Sequence, residues 1–321
     1  MSTADFLTID LPALLLGTLA CLSCALLGNF LILRRQALLG DAISHVVLPG
    51  IVGGFIVAGS LYPPAILLGA LVASLLAVAL ITLVRRVGRV EEGAAMGVVF
   101  TTLFAGGVVM LERADTRRVH LDVEHTLYGN LEGTIWLGPT RWADLLDPST
   151  WESLPGEIKT LAIVTLIILV LIVLLFKELR LATFDAGLAR ALGFRPGLLD
   201  AGLMAAVAVA AVAAFQAVGS ILVIAMFICP AACARMLTDR LSTQILLSMV
   251  FACLSGILGY GLGAFAPTFL GLREAVSASG MIAVVAGLLQ TAAMLFAPRH
   301  GALVRMLAQR RSTRAEQGAR A

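Results

Sequence analysis

The chain has 321 residues, of which 60% are hydrophobic and 13% charged, with a mean hydropathy of +0.98. These values exclude an ordinary soluble domain, in which apolar residues make up about 45–50%, and indicate an all-α, polytopic membrane protein. The formal net charge is only +3, so the basic residues do not call for a nucleic-acid partner.

Apolar runs long enough to cross a membrane recur along the whole sequence. A spanning helix needs about 20 mostly apolar residues, and the runs predict a transmembrane helical bundle of eight or nine membrane segments in one domain, 1–321. Their approximate positions are 11–33, 41–59, 62–84, 92–112, 159–176, 198–214, 218–237, 244–264 and 275–297. The number is open because three residues separate the sixth and seventh runs, so that one of them could be a half-helix.

Lysine and arginine lie at alternate ends of these segments. They follow the first, third, fifth, seventh and ninth runs, the last group forming a basic tail at 299–321. Because cytoplasmic loops carry an excess of Lys and Arg, these ends are predicted to be cytoplasmic, in a plasma or inner membrane. Asp5 and Asp10 precede the first run without a basic region, so we expect that segment to be retained rather than cleaved as a signal peptide.

Two ionisable residues interrupt the second apolar run. Asp41 and His45 are four residues apart, so in a helix both side chains leave the same face about one turn apart. Such a pair could hold a divalent cation, and ionisable groups at membrane depth usually face a bundle interior or a pathway. From the spacing alone, hydrogen bonding to neighbouring helices is an equally good interpretation.

Pro49 and Gly50 follow this pair directly. Proline removes a backbone donor and glycine loosens a helix. Together they predict a discontinuous helix beside a cavity, with these two residues as a pathway hinge.

The segment 113–158 differs in composition from the rest of the chain. It contains all three tryptophans and many charges, and its predicted place is outside the membrane. Since Trp is enriched at membrane interfaces, we expect a loop with short helices on the outer surface. A docking surface for an extracytoplasmic binding protein is the functional alternative. Candidate residues for attracting cations at its entrance are His120, Asp122, Glu124 and His125.

A short cytoplasmic helix is predicted at about 185–193. Asp185 is a suitable N-cap, Gly193 a suitable C-terminal stop, and Pro196 prevents continuation. The helix would carry Leu188, Ala189 and Leu192 on an exposed surface. It could also be a simple connection between two spans.

The order of several motifs resembles the permease subunits of ABC-type manganese, zinc and iron importers, the ABC-3 family. The resemblance covers roughly residues 15 to 305. The matching stretches are 37–50, 119–131, 177–196, 215–226, 230–241 and 296–301.

This resemblance implies an importer of a divalent transition metal ion, with manganese expected first and zinc or ferrous iron as alternatives. It implies that Asp41 and His45 bind the metal, and that Asp185, Leu188, Ala189, Leu192 and Gly193 form a coupling helix that docks on an ATP-binding subunit. The other implied partners are an extracytoplasmic metal-binding protein, a second permease copy, identical or homologous, and the membrane lipid.

The sequence contains no enzyme signature. It has no HExxH, no GxSxG and no GxxxxGK[ST] motif, so ATP would be hydrolysed by a separate subunit, and no permanently bound cofactor is expected. A proton-coupled secondary transporter could also use Asp41 and His45, and it would work without an ATPase. A structural or assembly protein of the membrane would instead tolerate changes at both positions.

Overall fold

The computed structural model describes residues 3–59, 63–113, 131–139, 141–269, 276–298 and 301. Within these ranges the chain is helical and contains no strand, as the all-α prediction requires. The helices are α1 (Leu11–Leu33), α2 (Leu39–Ala58), α3 (Pro63–Gly88), α4 (Glu92–Arg113), α5 (Pro148–Glu152), α6 (Gly156–Leu174), α7 (Phe176–Phe184), α8 (Ala186–Ala191), α9 (Pro196–Val218), α10 (Ser220–Leu237), α11 (Leu241–Phe269) and α12 (Ala278–Phe296).

Nine of the helices in the described ranges are long and apolar enough to cross a membrane: α1 to α4, α6 and α9 to α12. The structure thus gives the larger of the two numbers predicted. Helices α9 and α10 are separated by Gly219 alone, which is buried and has φ 80° and ψ 169°, a conformation that is essentially restricted to glycine. Each of the two helices is long enough to count as a span in its own right.

Helix α1 lies at the centre of the bundle and contacts α6, α9, α10 and α11. Its side chains Leu27 and Phe30 are completely buried. Gly28 allows α10 to approach, since a Cβ at this position would overlap the carbonyl of Phe227. In lipid, helices pack by close approach through small residues. Burying apolar surface against another helix removes it from lipid rather than from water, so it gives no hydrophobic stabilisation. We call α1, α6 and α9 to α12 the central group.

Helices α2, α3 and α4 form a second unit, the edge group. They pack on one another and reach the central group through contacts of α2 and α3 with α9 and of α2 with α10. Only 28% of the most apolar window of α3 is buried and 22% of that of α4, against 67% for α1.

The two ends of the bundle differ in chemistry. At the basic end, α1 and α3 finish and α9 begins, and Arg34, Arg85 and Arg195 lie there around one cavity. At the opposite end, which we call the tryptophan end, the backbone N–H of Trp136 donates to the carbonyl of Thr8, 2.9 Å away, just before α1. The described part of the segment between α4 and α6 therefore lies against the end of the bundle at which α1 begins.

Candidate metal pathway

The local fold places the start of α2 inside the bundle. After α1, a tight turn in which Arg35 has a positive φ of 60° reverses the chain, and α2 begins at Leu39. A Cβ on Gly40 would lie 2.7 Å from the ring of Phe227 in α10. Phe227 is ten residues before the end of α10, roughly 15 Å at the rise of a helix. Asp41, the next residue, is therefore well inside the bundle, measured from the basic end.

Asp41 and His45 lie together on one face of α2, as their spacing predicts. Asp41 Oδ1 and His45 Nε2 are 3.4 Å apart, and the side chains are 36% and 45% exposed in the single chain. This separation is longer than a normal hydrogen bond, which is about 2.7–3.2 Å for N–H···O. The two atoms are therefore close but do not form a normal hydrogen bond with each other.

The distance between these atoms suits a shared metal ion. With metal–ligand bonds of about 2.1 Å and tetrahedral angles, two ligand atoms lie about 3.4 Å apart, and octahedral angles bring them to about 3 Å. Across the described part of the chain, no group of three or more His, Cys, Asp or Glu side chains is arranged to hold a metal. Within the described residues, Asp41 and His45 therefore stand as a pair of potential ligands.

Helix α4 contributes an aromatic wall to this face. The His45 ring stacks on Phe100 with centroids 5.4 Å apart and meets the edge of Phe104 at 6.0 Å. These contacts restrict the orientation of the imidazole and leave Nε2 towards Asp41. Phe100 and Phe104 were not among the predicted site residues, although their spacing of four in a membrane helix matches that of the Asp–His pair and could have identified them.

The predicted interruption at Pro49 is wrong, because α2 runs unbroken from Leu39 to Ala58 with Pro49 inside it. The proline ring packs instead against Gly107 of α4, where a Cβ would be 2.6 Å from Pro49 Cβ. At Gly50 a Cβ would be 2.5 Å from Ala70 Cα in α3. These close contacts hold the neighbouring helices against a continuous α2, and the hinge role of Pro49 and Gly50 stays a prediction.

The predicted entrance residues His120, Asp122, Glu124 and His125 lie outside the described residues. The described part of the same segment carries short helical turns, as expected. Trp136 is fully buried, and its indole N–H donates to Ser153 Oγ at 3.0 Å. Trp142 and Trp151 remain about half exposed, and so form an aromatic surface at the tryptophan end.

The short helix predicted near residue 185 is α8. The Asp185 side chain accepts a hydrogen bond from the Leu188 N–H at 2.8 Å and so caps the N-terminus. At the other end Gly193 has φ 86°, and the N–H groups of Gly193 and Phe194 donate to the carbonyls of Arg190 and Ala189. This is the Schellman arrangement for ending a helix.

Fewer apolar side chains are exposed on α8 than the sequence predicts. Leu188 and Leu192 are exposed, at 48% and 60%, whereas Ala189 is completely buried. Ala189 faces inward because a helix of six residues resting on the bundle must turn one side towards it. Phe184 and Phe194, exposed on either side of α8, extend the apolar surface and were missed in the sequence.

Comparison with known proteins gives a consistent result. The sequence matches the ABC 3 transport family over residues 7–134 and 154–297. It is 40% identical over 291 residues to the manganese transport system membrane protein MntD of Bacillus subtilis, with 91% of this chain and 93% of that protein covered. It is 37% identical over 300 residues to the zinc transport system membrane protein TroD of Treponema pallidum, with 94% and 77% covered.

A solved structure has the same fold over nearly the whole length. It is PsaBC from Streptococcus pneumoniae in complex with a Fab, which aligns with a TM-score of 0.71 at 28% sequence identity. The alignment covers 93% of this chain and 94% of that one.

Proposed function

The chain belongs to the ABC 3 transport family, and on this basis we propose that it is the membrane permease of an importer for divalent transition metals, with Asp41 and His45 binding the cargo. It is a multi-pass membrane protein and a transport protein rather than an enzyme. The observation that carries the assignment of the site is the convergence of a carboxylate oxygen and an imidazole nitrogen 3.4 Å apart on a membrane helix.

In this proposal a second permease copy completes the site, because one chain supplies two ligands among its described residues. The Asp–His face of α2 is partly exposed in the single chain, and a two-fold arrangement of two copies, identical or homologous, would bring four ligands together. Two oxygens and two nitrogens suit Mn²⁺, Zn²⁺ and Fe²⁺. The 40% identity to a manganese protein favours manganese as the cargo.

The basic end is the cytoplasmic end in this proposal, in keeping with the positive-inside rule. Helix α8 lies at this end, since its residues Ala186 and Arg190 line the same cavity as the terminal arginines of α1 and α3. Its exposed Leu188 and Leu192 would dock on a separate ATP-binding subunit, which hydrolyses the ATP. At the tryptophan end, the exposed Trp142 and Trp151 would receive the extracytoplasmic metal-binding protein.

The test is ⁵⁴Mn uptake by vesicles that contain the complete transporter. Asp41→Asn and His45→Ala each remove a direct ligand, and even loss of a group that only orients a ligand costs about 10–100-fold in affinity or activity. We expect uptake to fall at least that far, while the amount of assembled transporter stays at the parent level. Asp147→Asn is the matched control, because Asp147 caps a short helix of the outer segment.

Two outcomes would contradict the proposal. Parent rates of Mn²⁺ and Zn²⁺ uptake in both variants would show that the metal passes elsewhere. Uptake by the permease alone, driven by a pH gradient without ATP or an ATPase, would identify a proton-coupled secondary transporter instead.

A further inference from the structure

A large cavity at the basic end is lined by neither Asp41 nor His45. Its volume is about 820 Å³, and it lies between the ends of α1 and α3, the start of α9 and helix α8. Six arginines and a single carboxylate line it: Arg34, Arg35, Arg85, Arg86, Arg190, Arg195 and Asp200.

The one carboxylate is already shared. Asp200 accepts a hydrogen bond from Arg34 and lies 3.7 Å from Arg85. The other four arginines have no carboxylate within 4.0 Å among the described residues. Like charges gathered in a concave site repel one another and attract an anion.

The N-terminus of α9 adds to this positive field. Its N-cap is Arg195, whose side chain makes no capping hydrogen bond, so the first turn lacks the acceptor that Asp or Ser would supply. Arg86 lies against the same turn, since a Cβ on Gly197 would be 3.6 Å from its guanidinium nitrogen. A cation beside the positive end of a helix is unfavourable, and an anion between them would remove the repulsion.

Exposed apolar side chains lie close in sequence to the arginines of the cavity. Leu83 and Val87, on either side of Arg85 and Arg86 in sequence, are 56% and 75% exposed. Leu198, in the first turn of α9, is also exposed. Apolar side chains next to arginines at the end of a spanning helix are the surface that a lipid needs, with acyl chains below and a headgroup above.

We propose that this cavity binds the phosphate group of an anionic phospholipid from the cytoplasmic leaflet. The side of the membrane rests on the orientation given under Proposed function. The guanidinium groups of Arg86 and Arg195 hold the phosphate oxygens, because the planar fork of arginine matches phosphate geometry, and the N–H of Gly197 faces the same group. The acyl chains lie along Leu83, on the membrane side of the arginines.

A bound headgroup would connect α8 to the membrane helices. Thr183 and Arg190, just before and within α8, line the same cavity, and Arg34 Nε donates to Thr183 Oγ1 at 3.1 Å. The lipid would therefore fix the position of α8 relative to α1, α3 and α9. Loss of the lipid should make the position of α8 less fixed, while the proposed metal ligands stay unchanged.

The experiment measures phospholipids bound to the purified full-length chain by native mass spectrometry in an uncharged detergent. Phosphatidylglycerol, phosphatidylcholine and inorganic phosphate are titrated separately. We expect phosphatidylglycerol to bind the parent protein at least tenfold more tightly than either of the others. The double substitution Arg86→Gln/Arg195→Gln should weaken its binding roughly thirtyfold, at about 1 kcal/mol for each arginine.

Two control variants make the result specific. Arg235→Gln removes a basic residue of the same end that lies outside the cavity and pairs with Asp239 at 3.4 Å, so it should keep parent affinity. Asp41→Asn should also keep parent affinity for phosphatidylglycerol, which separates this proposal from the metal assignment. Arg86→Lys/Arg195→Lys retains the charge and gives a folded comparison if the glutamine variant is unstable, and it should bind several-fold more weakly than the parent.

Three results would overturn the proposal. Equal binding of phosphatidylglycerol and phosphatidylcholine to the parent chain would show that no anion site exists. Displacement of phosphatidylglycerol by inorganic phosphate at equal concentration would assign the cavity to a soluble phosphate compound. Loss of ATPase co-purification with unchanged lipid binding in the glutamine variant would assign it to the protein partner.

Discussion

The central helix α1 and the edge group differ in how far they are buried. In the central group, α1 is surrounded by other helices, with 67% of its most apolar window buried, and its polar contacts are internal, as in the 2.7 Å hydrogen bond from Asn29 to Ser248. In the edge group, α4 is 22% buried, and the partly exposed Asp41 and His45 are the pair that we propose to bind the metal.

If the metal site is the one proposed, stability and transport depend on different helices of this chain. The central helices present apolar side chains to one another on several sides, so a change there is felt by the whole fold. The edge helices are also held by backbone contacts at glycines, as at Gly50, but the Asp41–His45 face of α2 stays partly exposed. Substitutions in the two groups should therefore separate loss of folding from loss of transport.

The largest effect on stability is expected from Phe227→Ala in the central group. Phe227 is fully buried and packs against Gly28 and Gly40, so its removal leaves a cavity, which typically costs about 3–5 kcal/mol. Thermal unfolding in detergent should show a large fall in Tm. The matched control is Phe296→Ala, because Phe296 is 67% exposed, and an equal fall in both variants would contradict the distinction.

A smaller effect is expected from Gly50→Ala in the edge group, compared with Gly53→Ala in the same helix. At Gly50 the new methyl group would meet the α3 backbone at 2.5 Å, whereas at Gly53 the nearest atom is Met110 Cε at 3.9 Å. Overpacking should destabilise the first variant by about 1–3 kcal/mol, while the second should gain up to about 1 kcal/mol from helix propensity. Equal Tm values would show that α2 and α3 are not held by this contact.

Pro49→Ala tests the hinge with little expected change in stability. Alanine restores a backbone donor and favours the helix, but the packing of the proline ring on Gly107 is lost, and the two effects oppose each other. We expect Mn²⁺ binding to be unchanged and the uptake rate to fall several-fold, because a stiffer α2 should open more slowly. Uptake at the parent rate would assign Pro49 to packing alone.

The smallest effect on stability is expected from Leu188→Glu, since this side chain is 48% exposed and surface changes usually stay within about 0.5 kcal/mol. Transport should nevertheless stop, because a charge would enter the apolar contact that we propose with the ATP-binding subunit. Co-purification of that subunit and metal-dependent ATP hydrolysis are the measurements. Lys177→Glu, outside α8, serves as a control for added negative charge.

Much of the fold could be predicted from the sequence because membrane spans are set by length and hydropathy. The nine helices of the described residues that are long enough to span a membrane fall close to the predicted runs. The placement of Asp41 and His45 on one face could be predicted from their spacing of four residues, whereas their metal binding stays a prediction. The cap at Asp185 and the stop at Gly193 are also local signals, since each depends on neighbours within a few residues.

Other features depend on contacts between residues that are distant in sequence, and such contacts produce no local sequence pattern. Pro49 was expected to interrupt α2, but the chain keeps the helix whole and places Gly107 beside the ring. The burial of Ala189 follows from how α8 rests on the bundle. The arginine cavity is lined by segments between residue 33 and residue 200, so no local stretch of sequence predicts it.

The junction at Gly219 has a consequence for biosynthesis. With one buried residue between α9 and α10, there is no polar loop for the insertion machinery to carry across the membrane as a separate step. The two helices must enter the bilayer as one hairpin, and neither can be held in the lipid without the other. An epitope or fluorescent label inserted at this turn should therefore block membrane integration of both, whereas one placed between α4 and α5 should be accepted.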